Sequence, residues 1–253
     1  MKLHYRKLGS GKPLIILHGL FGSSDNWQTL GRKYAETFTV YLVDQRNHGH
    51  SPRSDDFSYE LMAEDLNELM QDEQLESALL LGHSMGGKTV MTFTQLYPEK
   101  VEKLIVADIG PQEYPPHHQT ILEALNSVDL AVMNTRKAVE DHINQYIPDA
   151  GTKQFLMKNL YWNDDQKLDW RINIPVLTEK MPVITQGIPS QQVETETLFL
   201  RGGKSGYIRD EDLDAIKDQF PNSTVYTIEE AGHWLHAESP EEFYKVTMEF
   251  LEG

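Results

Sequence analysis

Gly82-His83-Ser84-Met85-Gly86-Gly87-Lys88-Thr89 is the stretch of the chain that decides its fold, because it fits two motifs with different chemistry. Written as G-x-S-x-G, it is a nucleophile elbow, a sharp turn that exposes a serine hydroxyl. Written as G-x-x-x-x-G-K-T, it is a phosphate-binding P-loop. Both motifs lie between a strand and a helix, which the apolar run 78–81 and an amphipathic run that stops at Pro98 would provide. The rest of the chain must decide between Ser84 as a nucleophile and Lys88 as a phosphate ligand.

Three further segments favour the nucleophile elbow. A P-loop protein also needs an apolar strand that ends in an acid, and residues 104–107 followed by Asp108 could supply one. The P-loop interpretation gives no role to three other segments, each of which follows a strand-like apolar run. These segments are His18-Gly19-Leu20-Phe21-Gly22, Asp44-Gln45-Arg46-Asn47-His48-Gly49-His50-Ser51 and Ala231-Gly232-His233. A protein built around a nucleophile elbow needs all three, in this order.

The composition excludes several classes of partner and site. A formal net charge of -16 over 253 residues argues against nucleic acids and anionic membranes, since both recruit lysine and arginine. The chain has no cysteine, which excludes disulfides, thiolate metal sites and thiol nucleophiles. The first residues lack the apolar stretch of a signal peptide, and no run approaches the roughly 20 apolar residues of a membrane helix. We therefore expect a cytoplasmic protein.

Alternating strand-like and helical patterns indicate a mostly parallel sheet flanked by helices. The predicted strands lie near residues 3–8, 13–18, 39–44, 78–82, 103–109, 197–201 and 224–228. Helical patterns interrupted by prolines lie between the fifth and sixth of these strands, around residues 120–131, 136–146 and 154–160. We expect a core of residues 1–110 and 191–253 with an inserted helical cap, residues 111–190. Within the cap, His117 and His118 are expected near the start of a helix.

Ser84 needs a base, because an unactivated serine hydroxyl is a poor nucleophile. Among the ten histidines, His233 follows the last predicted strand and completes the chain order of nucleophile, acid and histidine. His83 is expected to point away from the nucleophile, and His48 and His50 are expected to be structural residues of a polar turn. No histidine shows the spacing of a metal ligand, so we expect no metal.

An oxyanion formed on the substrate needs two backbone N–H donors. One is expected from Met85, the residue directly after the nucleophile. The other is expected from Leu20 in the loop after the second strand, with Phe21 as the alternative donor. Phe21 is otherwise expected to line the acyl pocket, and Trp234 and Tyr207 are the other candidate substrate-binding residues.

These motifs, together with Gly232-His233-Trp234, resemble the α/β-hydrolase superfamily. More closely, Arg46-Asn47-His48-Gly49 in combination with the stretch 82–88 is similar to bacterial YbfF-like acyl esterases and their mitochondrial relatives. The resemblance covers essentially the whole chain and is strongest over residues 14–111. It implies the α/β-hydrolase fold and a serine hydrolase that acts on short- to medium-chain acyl esters or thioesters without a cofactor.

The acid of the triad is where the chain departs from the common pattern of that superfamily. The pattern has an aspartate just after the strand predicted at 197–201, whereas the segment 201–207 contains no carboxylate. Asp210 directly precedes a helical run, where acids complement the helix N-terminus. Asp108 ends the preceding core strand, at the sheet edge where this fold keeps its site. The resemblance also implies an aspartate there, so Asp108 is favoured over Asp210 as the residue that orients His233.

The chain is thus expected to use an acyl-enzyme mechanism, in which Ser84 attacks a small carboxylic ester or thioester and His233 then activates water. Specificity depends on the cap, so the same triad could instead serve carbon–carbon bond hydrolysis, lyase or perhydrolase chemistry. A ligand-binding signalling protein that keeps a hydrolase pocket is a further alternative, and a P-loop ATPase is the remote one. The sequence is compatible with a monomer or a homodimer.

Overall fold

The computed structural model describes residues 1–116 and 118–253, and its nine strands form a seven-stranded sheet and a two-stranded hairpin. The strands are β1 Tyr5–Gly9, β2 Pro13–Leu17, β3 Thr39–Val43, β4 Ala78–His83, β5 Val101–Ala107, β6 Leu160–Trp162, β7 Leu168–Trp170, β8 Thr197–Gly202 and β9 Ser223–Ile228. The large sheet has the order β1-β3-β2-β4-β5-β8-β9, in which β1 is antiparallel to β3 and the other pairs are parallel. The α/β-hydrolase fold expected from the sequence is confirmed.

Eleven α-helices and three short 3-10 helices surround the strands in the described part of the chain. The α-helices are α1 Gln28–Tyr34, α2 Tyr59–Asp72, α3 Met85–Leu96, α4 Gln119–Asn126, α5 Arg136–Ile143, α6 Ala150–Met157, α7 Ile174–Glu179, α8 Met181–Thr185, α9 Leu213–Gln219, α10 Leu235–Glu238 and α11 Pro240–Glu252. The 3-10 helices are Ser24–Trp27, Pro98–Lys100 and Asp210–Asp212. None of the described helices combines the length and apolar character that a bilayer crossing requires.

Helices cover both faces of the large sheet, as the alternation of side chains along a strand requires. In β2, Ile15 and Leu17 pack with residues of α2, α3 and α9, whereas Leu14 and Ile16 pack with residues of α1 and α11. Buried on both faces, the central strands are near-continuous apolar runs, as is typical of parallel sheets. Because β2, β4, β5 and β8 are parallel, their carboxyl ends lie at the same edge of the sheet.

The segment 111–190, between β5 and β8, carries α4 to α8 and builds an apolar cluster distinct from the two that cover the sheet. Its regular structure is mainly helical, but the helix predicted at 154–160 ends at Met157 and is followed by the β6–β7 hairpin. The turn of this hairpin contains Gln166 at φ 58°, a left-handed conformation that a helix does not allow. In strands of three residues, the alternation of apolar and polar side chains is too short to be distinguished from the periodicity of a helix.

Candidate active site

Ser84, His233 and Asp108 meet at the carboxyl edge of the sheet, although they lie far apart in the chain. Ser84 lies between β4 and α3, Asp108 directly follows β5, and His233 lies in the loop after β9. His233 Nδ1 is 2.7 Å from Asp108 Oδ2, and His233 Nε2 is 3.0 Å from Ser84 Oγ. Because a carboxylate only accepts, Nδ1 carries the proton, and Nε2 is free to accept the Ser84 hydroxyl.

The turn at Ser84 has the geometry of a nucleophile elbow. Ser84 has φ 52° and ψ -119°, a strained conformation that costs about 1–3 kcal/mol for a residue with a Cβ. The turn needs glycine on both sides: a Cβ on Gly82 would lie 2.2 Å from the carbonyl oxygen of Gly86. A Cβ on Gly86 would lie 2.6 Å from the carbonyl oxygens of Leu17 and His18.

Asp108 is fully buried and is held by the loop after β8, where the superfamily's common pattern would have the acid. Gly202 N–H donates to its Oδ1 at 3.0 Å, and the Ser205 hydroxyl donates to its Oδ2 at 2.5 Å. Asp210, the alternative acid, instead forms an exposed ion pair with Arg201 at 2.7 Å. The structure therefore brings Asp108, and not Asp210, to His233.

Two aromatic rings hold the imidazole of His233. Tyr207 stacks on it with ring centroids 3.9 Å apart and an angle of 15° between the two ring planes. The His83 ring lies 4.8 Å away, and its Nε2–H donates to the His233 carbonyl at 2.8 Å. Burial keeps the pKa of His83 well below its usual value, so the ring stays neutral. The sequence predicts only that His83 points away from the nucleophile; its bond to the His233 backbone was not foreseen.

The loop after β2 lies beside the nucleophile and is fixed by two buried histidines. His18 Nε2 accepts the N–H of Gln45 at 3.0 Å, and His48 Nε2 accepts the N–H of Phe21 at 3.2 Å. Burial lowers the pKa of both rings, that of His48 to about 3, so both remain neutral acceptors. Because the N–H of Phe21 is already engaged, Leu20 is the better of the two predicted donors in this loop.

Two cavities meet at Ser84, and the predicted substrate-binding residues are divided between them. The outer cavity has a volume of about 330 Å³, and Phe21 and Trp234 line it together with His233. The inner cavity has a volume of about 20 Å³, and Tyr207 and Met85 line it. Leu20 borders both.

Lys88, the lysine of the alternative P-loop motif, is only 1% exposed. Its ammonium donates to the carbonyls of Gln112, at 2.8 Å, and of Gln186. These carbonyls lie near the two ends of the segment 111–190, in the connections that join it to the large sheet. Lys88 therefore joins these connections to α3 and is not available to bind a nucleotide.

The pH dependence of stability offers a test of this arrangement. Burial lowers the pKa of Lys88 from 10.5 to about 7, so the unfolded chain binds one more proton than the folded chain between these values. Stability should rise with pH across this window, by up to about 1.4 kcal/mol per unit, and Lys88→Met should remove that contribution. Urea unfolding of both proteins at about pH 7 and about pH 9 measures the difference. If the free energy of unfolding changed equally between the two pH values in both proteins, the lowered pKa assigned to Lys88 would be contradicted.

One group of described residues has side chains that could hold a metal ion. The nearest ligand atoms of His4, Asp44 and His50 lie within 4.8 Å of one another. Both carboxylate oxygens of Asp44 are already engaged, because they accept the backbone N–H groups of Ser24 and His50 at 2.6 and 2.9 Å. His117, expected near the start of a cap helix, lies outside the described residues.

Known proteins are similar to this chain over nearly its full length. Residues 12–240 match the family described as the alpha/beta hydrolase fold. The chain is 39% identical to a putative esterase/lipase of Haemophilus influenzae over 94% of this chain and 82% of that protein. It is 35% identical to esterase YbfF of Escherichia coli over 96% of this chain and 94% of that protein.

The solved structure of a marine microorganism esterase has a TM-score of 0.97 and 46% identity to this chain, and each chain is covered to 99%. Fold, site geometry and sequence similarity thus agree. The chain belongs to the α/β-hydrolase fold family.

Proposed function

We propose that this protein is a serine ester hydrolase, which cleaves small carboxylic esters or thioesters of short- to medium-chain acids through an acyl-enzyme. The observation that carries the proposal is the continuous hydrogen-bonded line from Ser84 Oγ through the His233 ring to Asp108. The names of the relatives, esterase and lipase, support the same reaction class.

In the first half of the reaction, Ser84 Oγ attacks the carbonyl carbon while its proton moves to His233 Nε2. The negative charge that develops on the carbonyl oxygen is stabilised by the N–H groups of Leu20 and Met85. The N–H of Met85 is suited to this because it belongs to the first turn of α3, whose N–H groups have no partner within the helix. His233 then gives its proton to the leaving oxygen or sulfur, and the acyl group stays on Ser84.

In the second half, water attacks the acyl-enzyme while His233 Nε2 takes one of its protons. The tetrahedral intermediate collapses, Ser84 regains its proton from His233, and the carboxylic acid leaves. Asp108 accepts the Nδ1–H of His233 and stabilises the imidazolium. Phe21, Trp234 and Tyr207 contact the substrate from the two cavities.

We further propose that residues 111–190 act as a cap over a core of residues 1–110 and 191–253. The buried contacts of Lys88 with both connections support this division. A cytoplasmic location and a monomeric or homodimeric state stay predictions.

His233→Ala tests the reaction class. Without the base, hydrolysis of both p-nitrophenyl butyrate and its thioester analogue should fall by about 10⁴-fold or more, because Ser84 can no longer lose its proton in the transition state. Initial rates on both substrates, measured beside wild type, check this. Retained activity in the variant would contradict the mechanism. Absence of turnover in wild type on every ester would favour a ligand-binding protein instead.

A further inference from the structure

The two cavities that meet at Ser84 differ in volume by more than an order of magnitude, about 330 Å³ against about 20 Å³. A cavity needs roughly 10–15 Å³ of such space to hold one water molecule, so the inner cavity admits a group of methyl size. An ester bound at Ser84 must place its acyl chain in one cavity and its alcohol in the other. The assignment of these two parts therefore decides the substrate class.

The position of His233 indicates which cavity holds the alcohol and which holds the acyl chain. Its Nε2 must protonate the leaving oxygen, so the alcohol has to lie on the side of the imidazole. Among the residues that the structure describes, His233 and its neighbour Trp234 line only the outer cavity. Met85, the proposed oxyanion donor, lines only the inner one. The alcohol consequently occupies the outer cavity, and the acyl chain the inner one.

Hydrogen bonds prevent the inner cavity from expanding. The Tyr59 hydroxyl donates to the carbonyl of Ile184 at 2.6 Å, and the N–H of Tyr114 donates to the carbonyl of Thr185 at 2.8 Å. The Tyr114 hydroxyl also donates to the carbonyl of Tyr207 at 2.7 Å. All five residues line the cavity, so a longer acyl chain would have to break several of these bonds.

The outer cavity suits an apolar leaving group. Phe155 and Trp234 form a wall with ring centroids 5.5 Å apart, and Phe21 and Ile121 add further apolar surface. Most of its lining is carbon, and aromatic side chains bind flat apolar groups well. Phe21, expected from the sequence at the acyl pocket, thus lies on the alcohol side.

We infer that the protein acts on esters of acetate-sized acids with bulky apolar alcohols or thiols. This inference rests on the proposed function and narrows its acyl range to the short end. Ser84 Oγ bonds to the acyl carbon, the bond from that carbon to the leaving oxygen or sulfur breaks, and His233 supplies the proton of the leaving group. Water then releases the acid and returns the proton to Ser84.

Two substrate series with wild-type protein test the inference. With 2-naphthol as the fixed alcohol, kcat/KM should fall at least about tenfold from acetate to butyrate and further to octanoate, because added methylenes do not fit the inner cavity. With acetate as the fixed acid, 2-phenylethyl acetate should exceed ethyl acetate by about tenfold, because its ring fills the outer cavity. Octanoate equal to or faster than acetate would overturn the inference.

A matched pair of variants ties these preferences to the cavity walls. Ile184→Ala enlarges the inner cavity and should raise the ratio of butyrate to acetate kcat/KM by about tenfold. Ile121→Ala enlarges only the outer cavity and should leave that ratio unchanged while it alters the preference among acetates. An unchanged ratio in a folded Ile184→Ala protein would contradict the inference. Failure of the proposed function looks different, since Ser84→Ala would then hydrolyse the same esters as wild type.

Discussion

Ser84→Ala should lower kcat for ester hydrolysis by about 10⁶-fold while the protein stays folded. Serine and histidine act as a unit in such sites, and loss of the nucleophile alone costs about as much as loss of the whole triad. The free energy of unfolding should change by less than about 1 kcal/mol, because alanine keeps the strained backbone and loses only the one hydroxyl that donates to His233 Nε2. Initial rates on p-nitrophenyl acetate, with urea unfolding of the same preparation, measure both quantities.

Ser84→Gly is the matched control for this prediction. It removes the same hydroxyl, but glycine adopts φ 52° without the strain that a Cβ brings. The glycine variant should therefore be equally inactive and about 1 kcal/mol more stable than the alanine variant. If either variant kept the activity of wild type, Ser84 would not be the nucleophile.

Asp108→Asn should lower kcat by about 10⁴-fold. Asp108 Oδ2 accepts both the Ser205 hydroxyl and Nδ1–H of His233, and an amide nitrogen in that position cannot accept either. The imidazole then has to carry its proton on Nε2, where it faces Ser84 and cannot serve as a base. Steady-state kinetics of the purified variant, with circular dichroism as the check on folding, measures the loss.

Asp210→Asn is the control for this second prediction, because it makes the same chemical change at the rival acid. The Asp210 side chain is 87% exposed and bonds to Arg201, so a weak surface ion pair is all that it loses. Its kcat should stay within about threefold of wild type. A larger loss in Asp210→Asn than in Asp108→Asn would reverse the assignment of the acid.

Much of the fold could be predicted because parallel strands buried on both faces leave long apolar runs in the sequence. All seven predicted strands overlap strands of the large sheet, with ends that differ by at most two residues, as for β1 at Tyr5–Gly9 against 3–8. The hairpin of β6 and β7 was missed, because Leu160–Trp162 and Leu168–Trp170 are too short to reveal a period of two. Its pairing depends on contacts that only the folded chain provides.

The candidate site was predictable where chemistry follows local sequence, as at Ser84 in its glycine-flanked turn. Asp108 could be favoured because it ends a core strand at the edge of the sheet and because the resemblance implies an aspartate there, but the bond from Ser205 to that carboxylate could not be predicted. Hydroxyl partners across the sheet leave no sequence pattern. The left-handed backbone of Phe21 at φ 60° was equally hidden from the sequence.

Lys88 shows how a perfect motif can mislead. The stretch 82–89 satisfies the P-loop spacing, yet the lysine is buried against the carbonyls of Gln112 and Gln186. Only the combination of this stretch with the loops at 18–22, 44–51 and 231–233 separates the two interpretations by sequence alone. The motif is informative when its neighbours in space can be recognised as well.

Covalent labelling is the most direct test of the central claim, that Ser84 becomes acylated through His233 and Asp108. The protein is treated with a fluorophosphonate, which reacts with activated serines, and the modified residue is located by peptide mass spectrometry. The account predicts a single adduct on Ser84, loss of ester hydrolysis in proportion to labelling, and no adduct in His233→Ala over the same time. Full labelling of another residue, or full labelling of Ser84 with activity retained, would contradict it.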